Sequence, residues 1–526
     1  MKLDYMIELE GGFRLHGSEE LRPGCIRIKP VLPEGRVKAV TARVNITMAE
    51  DERFFVNGYQ TWTYCPEQGK HGFTRGMGKL PKFVIDKFGI DRYGDYFFVD
   101  YPQTPGVMHG ESYCYFRRGG NYRLIASLDE RAGYTLLRYD SRCGVLTISR
   151  DCAGVRCGGV FPALELYYAE GGEDAVFDGW FAAMGVKSRG AKRLCGYSSW
   201  YNRYQNIDAE SITGDLAGCA EHMLPGDLFQ IDDGWEPAVG DWLETDAKKF
   251  PDGLKGTVGD IHGRGFLAGL WLAPFVCQKD SKIFREHPDW LLLHDGKPWY
   301  CGSNWGGFYA LDIDNAEFVR YLEQTFSLVL NDWGFDLVKL DFLYAAAPFG
   351  NVRESRAGRM TRAMELLRRL CGDKLILGCG VPLMPSFGLV DYCRISCDVG
   401  LDWDNSLIMR HTNRERVSTR QAIGNSISRR QLNGRAFGND PDVFFLRESN
   451  IRLSETDKYK LAVVNSLFGT LFLTSDNMGE YGGEAAALYE RLRTLSARAE
   501  NIRVDTDNGL TVYYDLDGTE QVLEIE

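Results

Sequence analysis

The sequence has 526 residues, of which 44% are hydrophobic and 25% charged, and this excludes a disordered or fibrous chain. The chain is also long enough to bury a large core without stabilising cross-links. Acidic residues outnumber basic ones by 73 to 61, which gives a formal net charge of −12. Because phosphate binding needs clustered lysine and arginine, this charge argues against a nucleic-acid partner. Adjacent basic residues occur only in pairs, such as Arg368-Arg369 and Arg429-Arg430, which we interpret as charges on helix faces.

Apolar runs, cysteines and histidines indicate the environment of the protein. No apolar run approaches the roughly 18 residues of a membrane span, and residues 1–12 lack the core of a signal peptide. The 14 cysteines form no C-x-x-C pair, and the 8 histidines lack zinc-ligand spacing. We therefore expect a cytoplasmic protein with reduced thiols, no membrane partner, no metal and no other cofactor.

The first part of the chain, residues 1–187, predicts a β-sandwich. Its apolar segments are short, alternate with polar residues and are separated by Gly, Asp or Asn turn signals. The predicted strands are Cys25–Val31, Arg36–Thr47, Tyr96–Tyr101, Tyr113–Phe116, Arg123–Leu128, Tyr134–Tyr139 and Val145–Ile148.

Residues 188–483 alternate apolar strands with amphipathic helices, which predicts a (β/α)8 TIM barrel. The eight predicted strands are Leu194–Trp200, Leu228–Trp235, Phe266–Pro274, Phe335–Phe342, Lys374–Gly380, Cys393–Gly400, Asp442–Leu446 and Thr470–Ser475. A doubly wound parallel sheet is the alternative, and it is less favoured because no G-x-G-x-x-G motif follows any of these strands. Residues 484–526 predict a last helix and a short C-terminal β element.

Polar residues collect at the ends of the predicted barrel strands, where TIM barrels place their active sites. Three strands end in carboxylates: Asp232 with Asp233, Asp341, and Asp398. A single aspartate at a strand end is commonly a helix N-cap, and a tryptophan in a strand commonly belongs to the core. Here, however, Lys339 and Arg394 precede two of the carboxylates, and Trp200 and Trp271 lie beside two strands. Charged groups walled by indoles suit a sugar, whose hydroxyls need paired donors and acceptors.

Two carboxylates on facing strands, without metal ligands or histidine, favour glycoside hydrolysis. Asp341 has a cation two residues earlier, Lys339, which favours the ionised form that a nucleophile needs. Asp398 is then the candidate acid/base, and Arg394 would orient it or bind substrate. A metal-dependent hydrolase that uses Asp232 and Asp233 as ligands and a non-catalytic carbohydrate-binding protein are the alternatives of a different class.

These motifs resemble those of the glycoside hydrolase family 36 α-galactosidases, which are melibiase-like. The resemblance extends from Asn57–Trp62 to the last barrel helix and depends on three motifs: Lys339–Phe342, Arg394–Asp398 and Asp232-Asp233-Gly234-Trp235. It implies a retaining exo-α-galactosidase with Asp341 as nucleophile and Asp398 as acid/base.

The resemblance also implies further site residues and a fold. Asp232 and Asp233 would grip the sugar hydroxyls, while Trp200, Trp271, Cys379 and, from the N-terminal domain, Trp62 would line the pocket. The implied fold is an N-terminal β-supersandwich, a catalytic barrel and a C-terminal β-domain, which is abbreviated here. The implied partner is an α-galactoside oligosaccharide or glycoconjugate. An α-N-acetylgalactosaminidase, an α-galactosyl transglycosylase and assembly as a homo-oligomer stay open.

Overall fold

The structure is a computed structural model that describes residues 1–78, 80–404, 412–507 and 509–526. Antiparallel strands come first, then strands that alternate with helices, and then a short antiparallel sheet. Within the described residues, no helix is long and apolar enough to cross a membrane. The helices are α1 (Lys82–Phe88), α2 (Glu173–Met184), α3 (Trp200–Arg203), α4 (Ala209–Cys219), α5 (Lys255–Gly263), α6 (Lys282–Glu286), α7 (Ala316–Ser327), α8 (Arg356–Cys371), α9 (Thr419–Ser428), α10 (Glu455–Phe468) and α11 (Gly483–Arg498).

Two antiparallel sheets form the N-terminal part and enclose one core. Their strands are β1 (Lys2–Leu9), β2 (Arg14–Glu20), β3 (Gly24–Ile28), β4 (Val31–Asn45), β5 (Arg53–Val56), β6 (Val107–Glu111), β7 (Tyr113–Arg118), β8 (Asn121–Ser127), β9 (Tyr134–Asp140), β10 (Val145–Asp151), β11 (Arg156–Val160) and β12 (Leu164–Gly172). The larger sheet has the order β2-β1-β4-β10-β9-β6, with β11 also paired to β4, and the smaller has the order β3-β12-β8-β7-β5. Alternate residues such as Ile7 and Ile148 of the larger sheet share a buried core with Phe116 and Ile125 of the smaller. The predicted β-sandwich is thereby confirmed.

The strand predicted at Tyr96–Tyr101 is wrong, because this segment is a turn. The backbone N–H groups of Phe98 and Val99 both donate to the carbonyl of Asp95, at 3.0 and 2.9 Å. The Tyr96 hydroxyl donates to Glu415 Oε2 at 2.7 Å, and the Tyr101 hydroxyl donates to Asp95. The aromatic residues that predicted a strand therefore include two tyrosines whose hydroxyls bind acidic side chains around a turn.

Eight parallel strands form the barrel, with the order β24-β23-β22-β21-β15-β14-β13-β25. The strands between residues 194 and 474 are β13 (Leu194–Ser198), β14 (Leu228–Ile231), β15 (Leu267–Leu272), β16 (Val276–Gln278), β17 (Leu293–His294), β18 (Lys297–Pro298), β19 (Tyr300–Gly302), β20 (Phe308–Ala310), β21 (Leu337–Leu340), β22 (Leu375–Gly378), β23 (Tyr392–Arg394), β24 (Gly438–Asp440) and β25 (Leu471–Thr474). The Thr470 N–H donates to the Asn439 carbonyl at 2.8 Å and so joins the two edge strands. Strands such as β15 are continuous apolar runs because helices cover a parallel sheet. The predicted TIM barrel is confirmed.

The seventh barrel strand lies at Gly438–Asp440 and not, as predicted, at Asp442–Leu446. Pro441 has no N–H to donate, so the strand ends before it. The apolar residues that follow are buried without forming a strand, and Phe444 stacks on Phe472 with 4.2 Å between ring centroids. Asp440 therefore ends the seventh strand at the same rim as the other strand-end carboxylates.

Three small sheets lie outside the barrel and the N-terminal sandwich. Strands β16, β20 and β19 form a three-stranded sheet in the long connection after β15, and β17 pairs with β18 in a hairpin. At the C-terminus, β26 (Ala499–Asp505), β27 (Thr511–Leu516) and β28 (Thr519–Glu524) form an antiparallel sheet after α11. The sequence predicts the last two of these C-terminal strands but not the sheet in the connection.

Candidate active site

One large cavity, with a volume of about 1080 Å³, opens at the carboxyl ends of the barrel strands. Its inner surface is formed by residues on or just after β14, β15, β21 and β23, such as Asp233, Trp271 and Asp341. Part of its outer wall comes from the N-terminal part of the chain, through Trp62 and residues between Leu80 and Tyr93. This is the end of the barrel at which TIM-barrel proteins bind their substrates.

Asp341 directly follows β21 and is fixed by two donors. Its Oδ2 accepts a hydrogen bond from Trp271 Nε1 at 3.1 Å, and its Oδ1 accepts one from the Phe342 N–H at 2.8 Å. Phe342 has a φ of 53°, a left-handed conformation that is uncommon for a residue with a side chain. The chain therefore turns sharply after Asp341 and holds the carboxylate at the cavity surface.

Asp398 lies four residues after Arg394, whose Nη1 donates to Asp398 Oδ1 at 2.9 Å. The Asp398 side chain is 40% exposed, and this exposed part faces the cavity. The surrounding protein raises the pKa of Asp398 above its usual value, although Arg394 opposes the shift, and the negative charge of Asp341 raises it further. Asp398 therefore holds a proton more readily than an ordinary aspartate does.

Arg394 connects three carboxylates that line the cavity. In addition to Asp398, its Nε donates to Asp440 Oδ2 at 3.0 Å, and its Nη2 lies 2.9 Å from Asp442 Oδ1. Burial raises the pKa of Asp442 to about 6, against the opposing charge of Arg394. Tyr201 donates to the other oxygen of Asp442 at 2.9 Å. This network holds the Arg394 guanidinium in one orientation.

Asp232 is paired with Lys339 on the floor of the cavity. Lys339 Nζ lies 2.9 Å from Asp232 Oδ2, which also accepts from Gln230 Nε2 at 2.8 Å. Burial alone would lower the pKa of Lys339, but the charge of Asp232 outweighs it and raises that pKa well above its usual value. The lysine therefore stays charged among the carboxylates.

Asp233 uses one of its oxygens for protein donors and turns the other toward Glu236. Its Oδ2 accepts from Gln205 Nε2 and from Trp305 Nε1, both at 2.9 Å. Its Oδ1 is buried and has no donor among the described residues, and the Glu236 carboxyl lies within hydrogen-bonding range. Burial raises the pKa of both groups, and the neighbouring charge of Asp233 raises that of Glu236 further.

Indole rings form much of the cavity wall. Trp62, Trp200, Trp271 and Trp305 all line it. Trp62 contacts Phe342 edge to face, with 5.2 Å between ring centroids, so it lies in the cavity of its own chain. Such rings suit the apolar C–H face of a sugar.

Two residues bind the loop that carries Trp62 to the barrel. Asn425 lies on α9, and Arg429 directly follows that helix. Asn425 accepts from the Cys65 N–H and donates to the Thr63 carbonyl, each at 3.0 Å. Arg429 donates to Asn57 Oδ1 at 3.0 Å and to the Gln60 carbonyl at 3.1 Å. The interpretation of Arg429 as a charge on a helix face is therefore wrong, because its side chain is fully buried and its donors satisfy loop carbonyls.

The cavity brings together nearly all of the residues singled out from the sequence. Its lining includes Trp62, Trp200, Asp232, Asp233, Trp271, Lys339, Asp341, Arg394 and Asp398. Cys379 is not among the lining residues: it is 1% exposed, and burial raises the pKa of its thiol well above the usual value. Sequence reasoning missed Gln205, Glu236, Trp305, Asp440 and Asp442. Correct placement of the seventh strand would have identified Asp440, whereas Trp305 and Gln205 come from loops without a motif.

Asp232 and Asp233 do not belong to a cluster of metal-binding side chains among the described residues. Among the described residues, no group of three or more metal-binding side chains lies together. Asp232 is instead paired with Lys339, and Asp233 accepts from an amide and an indole. All 14 cysteines are free thiols, and only Cys25 and Cys143 are exposed.

A β-sandwich on a TIM barrel, with carboxylates, cations and indoles at the carboxyl ends of the strands, defines a barrel protein whose cavity suits a sugar ring. Residues 191–366 match the Melibiase family model. Among curated proteins, an α-galactosidase of Escherichia coli is 32% identical over 182 residues, which are 32% of this chain and 25% of that protein. An A type blood α-D-galactosamine galactosaminidase of Flavonifractor plautii is 32% identical over 128 residues, or 22% of this chain and 11% of that protein.

A solved structure is similar over nearly the whole chain. The α-galactosidase TtGalA from Thermus thermophilus, in complex with p-nitrophenyl α-D-galactopyranoside, is 26% identical with a TM-score of 0.76, and the match covers 98% of both chains. The matched segments span about a quarter or less of the two curated relatives named above. Together these matches confirm the resemblance to the glycoside hydrolase family 36 α-galactosidases.

Proposed function

We propose that this protein is a retaining exo-α-galactosidase that removes terminal α-linked galactose from oligosaccharides or glycoconjugates. The observation that carries the proposal is the pair Asp341 and Asp398, which line one cavity at the ends of the fourth and sixth barrel strands. The names of the Escherichia coli and Thermus thermophilus relatives support galactose as the sugar.

Asp341 is the nucleophile in this proposal, and Asp398 is the acid/base. In the first step, an oxygen of Asp341 bonds to the anomeric carbon while the proton of Asp398 goes to the departing glycosidic oxygen. In the second step, Asp398 takes a proton from water, whose oxygen displaces Asp341 from the anomeric carbon. Two inversions restore the α configuration, and each carboxyl group returns to its starting state.

The contacts of the two carboxyl groups fit these different roles. Trp271 Nε1 and the Phe342 N–H orient Asp341 without giving it a proton to carry. Asp398 has a raised pKa, which an acid needs, and loses its proton more easily once the negative charge of Asp341 is consumed in the covalent intermediate. Asp232, Asp233, Lys339 and Arg394 would bind the sugar hydroxyls, and Trp62, Trp200 and Trp271 would pack on the ring.

The decisive experiment uses azide with the variants Asp341→Gly and Asp398→Gly and an aryl α-galactoside. Without the nucleophile, azide enters from the free face, and the expected product is β-galactosyl azide. Without the acid/base, the covalent intermediate still forms from a good leaving group, and azide displaces Asp341 to give α-galactosyl azide. The same anomer from both variants would refute the assignment of roles. Asp295→Ala, at a side chain that is 92% exposed, is the matched control and should react as wild type does.

A substrate panel separates the proposed activity from its neighbours. We expect hydrolysis of p-nitrophenyl α-galactoside and loss of several orders of magnitude in kcat for Asp341→Ala. The similarity to the Flavonifractor plautii galactosaminidase makes α-N-acetylgalactosaminide the second substrate to test. Faster turnover of that substrate would replace galactose by N-acetylgalactosamine in the proposal, and galactosyl transfer to added melibiose would indicate a transglycosylase.

We also propose a domain organisation in which each part of the chain has its own role. Residues 188–483 carry the catalytic barrel, residues 1–187 supply Trp62 and the outer wall of the cavity, and residues 484–526 form a C-terminal attachment. The hydrogen bonds of Asn425 and Arg429 to the loop at residues 57–65 support this division, because they tie a part of the cavity wall to the barrel.

A further inference from the structure

The outer wall of the cavity has a side that is apolar throughout. The lining residues between 62 and 93 are Trp62, Leu80, Val84, Phe88, Ile90 and Tyr93. Residues 80–93, all of which the structure describes, also contain the charged residues Lys82, Asp86, Lys87, Asp91 and Arg92, and none of these five lines the cavity. The segment therefore directs its apolar side chains toward the cavity and its charges elsewhere.

Helix α1 explains how this separation arises. Val84 and Phe88 are four residues apart and so lie on the same face of α1. Leu80 precedes the helix and Ile90 follows it, and both line the cavity as well. The helix contains no buried residue, and Phe88 is 43% exposed. Phe83, on another face of the same helix, is 73% exposed and does not line the cavity. The apolar strip formed by Leu80, Val84, Phe88 and Ile90 is thus an open surface that continues the wall from Trp62 outward.

The position of the strip relates it to the leaving group. The carboxylates that would act on the anomeric carbon lie at the strand ends, whereas the strip belongs to the outer wall contributed by the N-terminal part of the chain. A single sugar ring fills only part of a cavity of about 1080 Å³. The group attached through the glycosidic oxygen must occupy the outer part.

We propose that the strip of Leu80, Val84, Phe88 and Ile90 is a leaving-group subsite that binds an alkyl chain, so that the enzyme favours α-galactosides with a lipid-like aglycone. This inference rests on the proposed galactosidase function. The strip is elongated along a helix and carries no charge or hydroxyl group to pair with a second sugar. Burial of an alkyl chain against it removes apolar surface from water on both partners.

A series of alkyl α-galactosides tests the subsite without changing the chemistry. Methyl, butyl and hexyl α-D-galactoside have alkoxide leaving groups of similar basicity, so a rise in kcat/KM along the series reports contacts with the chain. We expect at least a tenfold higher kcat/KM for the hexyl than for the methyl compound, because each buried methylene contributes up to about fourfold. Equal values for the three compounds would overturn the subsite while leaving the galactosidase function intact.

Two phenylalanines on one helix provide the matched variants. In Phe88→Ala the hexyl-to-methyl ratio should fall at least threefold, and Val84→Asn should lower it as well. Phe83→Ala removes an equal ring that lies outside the cavity, so it should keep the wild-type ratio. An equal response of Phe83→Ala and Phe88→Ala would refute the assignment of the strip.

Binding measurements on Asp341→Ala separate this inference from the proposed function. Calorimetry should show tighter binding of hexyl than of methyl α-galactoside, and Phe88→Ala should remove that gain in the same background. If wild type hydrolyses no galactoside but the gain is present, the proposed function fails and the subsite stands. If the gain is absent and Phe88→Ala changes the mass measured by sedimentation, the strip is a contact between two copies of this chain, and the subsite is refuted.

Discussion

Lys339 forms its ion pair with Asp232, at 2.9 Å, and not with Asp341, which is only two residues away in the sequence. Lys339 lies on β21, and Asp341 directly follows that strand. The long lysine side chain extends to Asp232, which follows β14, two strands away in the barrel sheet. The sequence interpretation, in which Lys339 keeps Asp341 ionised, paired the lysine with the nearest aspartate along the chain. In the structure, Lys339 is paired with Asp232, a candidate for binding the sugar, while Asp341 accepts hydrogen bonds from Trp271 Nε1 and the Phe342 N–H.

Substitution of Lys339 should therefore destabilise the protein mainly through Asp232, which loses its ion-pair partner. Lys339→Met leaves a buried carboxylate without its cation, and we expect a loss of about 3–5 kcal/mol in the free energy of unfolding. Asp232→Asn in the same chain should restore part of it, because the remaining pair carries no unbalanced charge. Chemical denaturation of both single variants and the double variant measures this coupling. Strictly additive losses would contradict it.

The ion pair of Lys38 with Glu8 is the control for this cycle. The Lys38 side chain is 58% exposed, and Glu8 is also bonded by Arg14. Lys38→Met should therefore cost less than about 1 kcal/mol in the free energy of unfolding.

A second prediction concerns the pH dependence of the Asp233–Glu236 pair. Burial raises the pKa of both carboxyl groups, so we expect the pair to retain a proton at a pH at which ordinary carboxyl groups are ionised. Because their pKa values are raised in the folded protein, the stability that this proton contributes is present at low pH. It is lost as the pH rises through the raised values. Thermal stability and galactoside affinity should thus both fall on the alkaline side.

Glu236→Gln separates titration from hydrogen bonding. The glutamine amide can donate to Asp233 Oδ1 at any pH. The melting temperature and KM of this variant should therefore stay constant as the pH rises, without the alkaline decline of the wild type. Glu236→Ala leaves Asp233 Oδ1 without a donor and should be less stable at every pH. The other groups that face the pair are Gln205, Trp305, Asp232 and, through the Gly234 carbonyl, Lys249. An alkaline decline in Glu236→Gln equal to that of wild type would show that the pair is not its cause.

The sequence predicts the barrel well because parallel strands are continuous apolar runs, and carboxylates at their ends are visible without tertiary information. It fails where a residue's role depends on distant partners. Arg429 is an unremarkable basic residue in the sequence, and only the fold brings it to loop carbonyls more than 360 positions away. Trp305 lies in an irregular segment, and no residue pattern in the sequence indicates its left-handed φ of 53°. Tyr96–Tyr101 has the aromatic composition of a strand but begins in a turn, whose backbone hydrogen bonds go to the Asp95 carbonyl.

The third prediction tests the attachment of the Trp62 loop. Arg429→Met leaves the Asn57 side chain and the Gln60 carbonyl without their buried donor, and each such group costs about 1–3 kcal/mol. Asn425→Ala is the milder variant and loses two hydrogen bonds, to Cys65 and Thr63. Both should lower the melting temperature, and Asn425→Ala should also raise KM because Trp62 is held less firmly.

Arg435→Ala is the control for the attachment, because its ion pairs are with the largely exposed Asp174 and Asp178. Its cost should stay below about 1 kcal/mol, with an unchanged KM. An unchanged KM in Asn425→Ala, despite a lower melting temperature, would mean that the loop supports the fold without positioning Trp62.

The last prediction concerns two glycines that share a positive φ but differ in their surroundings. Gly380 and Gly372 both have a φ of 55°, a value that disfavours any residue with a Cβ, so alanine should be destabilising at either position. A Cβ at Gly372 would meet no atom within 4 Å, whereas at Gly380 it would lie 3.0 Å from the Phe342 nitrogen and from the Trp62 ring. Gly380→Ala must therefore displace either the indole or the N–H that donates to Asp341. We expect Gly380→Ala to lower kcat/KM at least tenfold and Gly372→Ala to leave it unchanged. Equal kcat/KM values would show that neither the position of Trp62 nor the Phe342 N–H limits the reaction.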